Sequence, residues 1–80
     1  MNEITPAQSR AGRALVDWSQ TVLAGKSNLG ESTIRDFEKG RRVPSVNNLA
    51  AIRAALEAAG VEFIPDNGGG PGVRLKHPHG

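Results

Sequence analysis

Between Leu29 and Ser45 the chain reads LGESTIRDFEKGRRVPS, a stretch crowded with charged and hydroxyl side chains. Arg35, Lys39, Arg41 and Arg42 supply positive charge of the kind that holds phosphate or carboxylate oxygens. Glu31 and Asp36 accept hydrogen bonds when ionised, whereas Ser32 and Thr33 both donate and accept. This set suits recognition and not covalent chemistry, because cations grip a polyanion while acceptors and hydroxyls discriminate among its edges. The two carboxylates oppose a phosphate field, and they leave two partners open. They are selective contacts inside a nucleic-acid groove held by the surrounding cations, or they pair with basic groups on a protein.

Composition narrows the classes. Eighty residues make at most one small domain with a limited core, for which help from a second subunit is plausible. The formal charge of +2 and the pI near 9.7 permit a nucleic-acid partner but form a mild imbalance, so placement of charge decides more than its total. The absence of cysteine excludes disulfides, thiolate metal sites and a cysteine nucleophile. The start MNEITPAQ has no basic region followed by an apolar run, and no segment is apolar enough for a membrane span, so a soluble cytoplasmic protein without membrane contact is expected.

An enzyme is not expected. Both histidines, His77 and His79, fall in the tail KHPHG without a third ligand, so neither a metal nor any other cofactor is expected. There is no tyrosine, and a chain of this size cannot easily enclose a substrate. GGGPG lacks the Gly-Lys-Ser/Thr of a phosphate-binding loop and precedes no helix, which makes it a turn or linker.

The elements that must position these side chains are legible from caps and periodicity. Thr5, Pro6 and Gln8 form a capping box with proline at the first helical position, predicting a helix over 6–18. Within it Ala7, Ala11, Ala14, Leu15 and Trp18 recur at helical spacing as the inward stripe, leaving Arg10 and Asp17 to solvent and Trp18 in the core. Ser19 caps a second helix over 20–26 with Val22 and Leu23 inward, and Asn28 ends it in a tight turn. A third helix over 31–39 starts after Gly30 and stops at Gly40, with Ile34 and Phe37 buried. GRRVPS is an extended basic connector, because Pro44 biases Val43 away from helix. Ser45 caps a fourth helix over 46–59 with Val46, Leu49, Ile52, Leu56 and Ala59 as its stripe. Beyond Gly60, VEFI and GVRL are short β-prone runs around PDNGGGP, predicting a hairpin from Val61 to Leu75 whose free edge could pair across a two-fold axis in a homodimer.

Four short helices with a tight turn between the second and third make a helix-turn-helix. The residues Ser19, Gln20, Leu23, Ala24, Asn28, Leu29, Thr33, Ile34, Phe37, Glu38, Gly40, Arg42, Pro44 and Ser45 resemble, at fixed spacing, the motif of the Cro/phage-repressor (XRE-type) family. The likeness covers roughly Gln8 to Ala59. It implies a mostly α-helical repressor-like domain over 1–60; the residues beyond it, read by themselves, predict the hairpin extension over 61–76 and a disordered tail over 77–80.

The resemblance also implies a transcriptional regulator whose third helix enters the major groove of double-stranded DNA. Carried over position by position, Glu31, Ser32, Thr33 and Asp36 face base edges. Gln20 contacts a phosphate, and Arg35, Lys39, Arg41 and Arg42 are further backbone clamps. Arg13 and Glu38 match a structural ion pair between the first and third helices. The chain departs from the family in having Asn28 for the turn glycine, and Gly30 followed by the acidic Glu31 where a cap serine is usual. Some small single-domain members of such families on mobile elements act by capturing another regulator, so the resemblance also implies an antiactivator as the alternative reading.

Overall fold

The computed structural model describes residues 3–77. The chain forms α1 (Pro6–Val16), α2 (Gln20–Ser27), α3 (Glu31–Glu38), α4 (Val46–Ala58), β1 (Val61–Ile64) and β2 (Gly72–Leu75), in that order. This is the expected four-helix domain with a C-terminal hairpin. His79 and the rest of 78–80 lie outside the described residues, and with them most of the expected tail and half of the histidine pair.

Caps begin the helices as their residue types require. The Thr5 hydroxyl accepts from the Gln8 amide at 3.1 Å, and the Gln8 side chain accepts from the Thr5 amide at 2.9 Å. Ser19 and Ser45 cap α2 and α4 through the amides of Val22 and Asn48. Gly30 starts α3 with no side-chain bond. A residue in the left-handed region follows each helix: Asp17 and Asn28 at φ 60°, Gly40 at 75° and Gly60 at 106°. At the first three, the next amide reaches back to a carbonyl of the last turn, from Trp18 to Arg13, Leu29 to Ala24 and Arg41 to Asp36, each at 2.9 Å. Asp17 closes α1 at Val16, so Trp18 sits in the connection and not at the helix end.

One core joins the helices and hairpin: Ile4, Leu23, Ala24, Ile34, Phe37, Leu49, Ile52, Ala55, Leu56, Val61 and Phe63. Trp18 packs on its margin, half-buried, with the Lys26 ammonium 5.9 Å from its ring centre. The strands are antiparallel, with Val61 opposite Leu75 and Phe63 opposite Val73. Their connection is held by Asp66, whose carboxylate accepts from the amides of Gly68 and Gly70 at 3.1 and 3.2 Å.

The inward face of α1 differs from the periodicity-based expectation. Ala7, Ala11, Ala14 and Leu15 are exposed, and Gln8, Ser9 and Gly12 are buried in their place. An alanine stripe carries little apolar area, so a face with specific bonds to make outcompetes it. The Gln8 amide donates to the carbonyls of Gly72 and Ile64, at 2.9 and 3.4 Å, and fastens the hairpin to α1. Val22 and Val46, expected inward, are 40% and 69% exposed, and Ala55 takes a core place on α4 that the predicted stripe omitted. Gly12 lets α1 approach α4 and β1 closely: a Cβ there would lie 3.3 Å from Leu56 Cδ1 and 3.5 Å from Val61 Cγ1.

Gly12→Val is accordingly expected to cost about 1–3 kcal/mol by overpacking. Ala14→Val, on the exposed face, should cost less than about 1 kcal/mol through helix propensity alone. Urea unfolding of both variants checks this, and equal midpoints would contradict close packing at Gly12.

Candidate nucleic-acid interface

The apolar side of α3 fixes which residues it offers outward. Ile34 and Phe37 are buried, leaving Glu31, Ser32, Arg35 and Lys39 exposed and Thr33 and Asp36 half-buried. Arg41 and Arg42 are exposed in the connector, while Pro44 is buried and anchors its end. The expected base-facing residues and the expected clamps are therefore brought onto neighbouring surface at the second half of the helix-turn-helix.

Glu38, the last residue of α3, points the other way and is 2% exposed. An ionised carboxylate in that position is costly unless its lone pairs are satisfied. Arg13 of α1 donates to it from Nε at 2.9 and 3.2 Å and from Nη2 at 2.7 Å. Ser9 of α1 donates its hydroxyl at 2.6 Å, and Gln20 of α2 donates its amide at 3.0 Å. Arg10 reaches the Glu38 carbonyl, and Arg13 also donates to the Trp18 carbonyl at 3.1 Å. Burial alone would raise the Glu38 carboxyl, but the hydrogen bonds from Arg13, Ser9 and Gln20, with the Arg13 charge, outweigh it and hold the group below its ordinary value.

The Arg13–Glu38 pair expected from the resemblance is thus present, inside a larger cluster. Ser9 was not singled out from the sequence. It lies four residues before Arg13 on one helix face, a spacing that places both toward a single partner. Gln20, expected at a phosphate, is half-buried with its amide turned to Glu38. Thr21 was also missed: its hydroxyl donates to a Glu31 carboxylate oxygen, linking the first turn of α2 to the first residue of α3.

Arg35, Lys39, Arg41 and Arg42 form no ion pair with another described residue. A concavity of about 290 Å³ bordered by Glu3, Gln8, Arg53, Phe63 and Asp66 contains none of the expected contact residues. The candidate surface is open, as a surface for a large partner must be.

Residues 10–62 match the family model described as helix-turn-helix. The chain belongs to the XRE/Cro-type helix-turn-helix family, whose members are DNA-binding transcriptional regulators. No curated protein matches the chain. No helix among the described residues is long and apolar enough to cross a membrane.

Glu38→Ala should cost about 3–5 kcal/mol, because it strands the Arg13 charge, whereas Glu31→Ala removes an exposed contact worth about 1 kcal/mol or less. Thermal unfolding of the two variants separates them. Since the folded Glu38 carboxyl lies below its ordinary value of 4.5, its stabilising contribution is present above that pH and is lost as pH falls through the folded value. Glu38→Gln should therefore show a flatter loss of stability than the wild type below about pH 4.5 in acid titrations at fixed urea.

Proposed function

We propose that the chain regulates transcription in the cytoplasm by laying α3 in the major groove of double-stranded DNA. The observation that carries this reading is the face of α3 and its connector. Arg35 on α3, Lys39 at its end and Arg41 and Arg42 in the connector stand outward without ion-pair partners among the described residues, and the helix is clamped from behind by Glu38. On this reading Glu31, Ser32, Thr33 and Asp36 face base edges, and the four cations with Gln20 hold phosphates.

Phosphate contacts release counterions, and each one adds about 0.9 to the slope of log affinity against log salt. Replacing Arg41 and Arg42 together with alanine should weaken binding to all duplex sequences alike and flatten that slope by about 0.9 per lost contact. Fluorescence anisotropy across a salt series measures it, and an unchanged slope would remove the connector from the interface.

Two carboxylates among the outward residues of α3, Glu31 and Asp36, favour a second reading, in which this surface captures another transcriptional regulator as an antiactivator. The double variant Glu31→Gln with Asp36→Asn separates the two. In a groove, removing two negative charges from a phosphate-rich surface should raise affinity for random duplex DNA while lowering selectivity among sites. On a protein-binding face, the same change should weaken the protein complex and leave DNA binding negligible. A loss toward the protein partner with no DNA signal would sink the DNA reading.

A further inference from the structure

Glu31 is the first residue of α3 and exposed, where a long carboxylate side chain would ordinarily sample many rotamers. Here the Thr21 hydroxyl donates to its Oε2. Thr21 is β-branched and helical, so its side chain has few χ1 rotamers to choose from, and the one it adopts aims the hydroxyl at Glu31. One oxygen of Glu31 is therefore tied across the helix-turn-helix, and Oε1 receives no hydrogen bond from another described residue.

A carboxylate held in this way accepts and cannot donate. In the major groove guanine presents the acceptors N7 and O6, and thymine presents O4, all of which repel it. Adenine sets its N6 donor beside the N7 acceptor. Cytosine offers the N4 amino group as its major-groove hydrogen-bonding group, matching a pure acceptor. Because Thr21 orders the side chain before DNA arrives, less conformational freedom is lost on contact.

We infer that Glu31 selects cytosine in the major groove and that Thr21 is the positioning residue that holds its carboxylate for that contact. The inference rests on the DNA-binding reading above and adds to it the identity of one base and the residue that sharpens the choice. Asp36, without a side-chain bond to another described residue, is not held in this manner.

Selection of bound duplexes from a randomised library, followed by sequencing, tests this with the full chain. The wild type should enrich sites containing a C·G pair at which the other bases weaken binding about tenfold. Glu31→Gln should shift that one position toward adenine, because a carboxamide matches N6 and N7 together. Thr21→Val, which keeps the shape and removes the donor, should reduce cytosine discrimination there by about threefold, and Thr21→Ser should restore it. Circular dichroism confirms the fold of each variant. If the wild type enriches a sequence but Glu31→Gln leaves every position unchanged, the inference fails and the DNA reading stands. If Thr21→Val weakens all sequences equally, Thr21 is a phosphate contact and its positioning role is overturned. If the wild type enriches no sequence, both readings fall.

Discussion

The buried carboxylate of Glu38 is the constraint around which the helices are arranged. Apolar packing of Ile34 and Phe37 is non-directional and by itself tolerates small rotations of a helix about its axis. Hydrogen bonds at 2.6–3.2 Å from Ser9, Arg13 and Gln20 to one carboxylate do not. They arrive from two different helices, so they fix α3 against α1 and α2 at once. An ionised group 2% exposed has lost most of its water, and the multiplicity of donors is what makes that burial tolerable. The face that α3 offers to a partner is set from behind, by a residue that never reaches it.

That anchor matters because α3 is eight residues long and far too short to be stable in isolation. Its first residue follows a glycine that provides no side-chain cap, so the usual local stabilisation is weak at this end. The Thr21–Glu31 contact ties that beginning to α2, and the Glu38 cluster ties the other end to α1 and α2. Between them, Asn28 in the left-handed region turns the chain sharply enough to bring the two helices together. A helix held at both ends loses little freedom when it meets a rigid surface, which is the advantage of pre-organisation in binding.

The order and approximate limits of the elements were legible in the sequence because their punctuation is local. Thr5–Gln8, Ser19, Asn28, Gly40, Ser45 and Gly60 act within a turn of their own position, and each starts or stops an element as its chemistry requires. The orientation of α1 was not legible. Its alanines imitate an apolar stripe, whereas the true inward face is chosen by partners distant in sequence, namely Glu38 for Ser9 and the hairpin carbonyls for Gln8. Val22 and Val46 misled for a related reason, since period alone does not say which side of a short helix has neighbours. At the candidate site, the outward set on α3 followed from Ile34 and Phe37 being inward. The Thr21–Glu31 link did not, because it depends on how closely one helix is set against the next.

Gln20 joins the fold to the proposed function. A carboxamide nitrogen carries two N–H groups, and the Glu38 carboxylate takes one. Under the DNA-binding reading the other remains for a phosphate oxygen, so the same nitrogen spans the buried anchor and the DNA backbone. Its orientation is then prepared by Glu38 before any contact forms, and the phosphate grip of α2 shares a fixed point with the placement of α3. This also makes plain why glutamine serves here better than lysine. A lysine would bring a second full charge toward Glu38 beside Arg13, whereas the neutral planar amide satisfies the buried oxygen and keeps its second N–H in a direction fixed by the first.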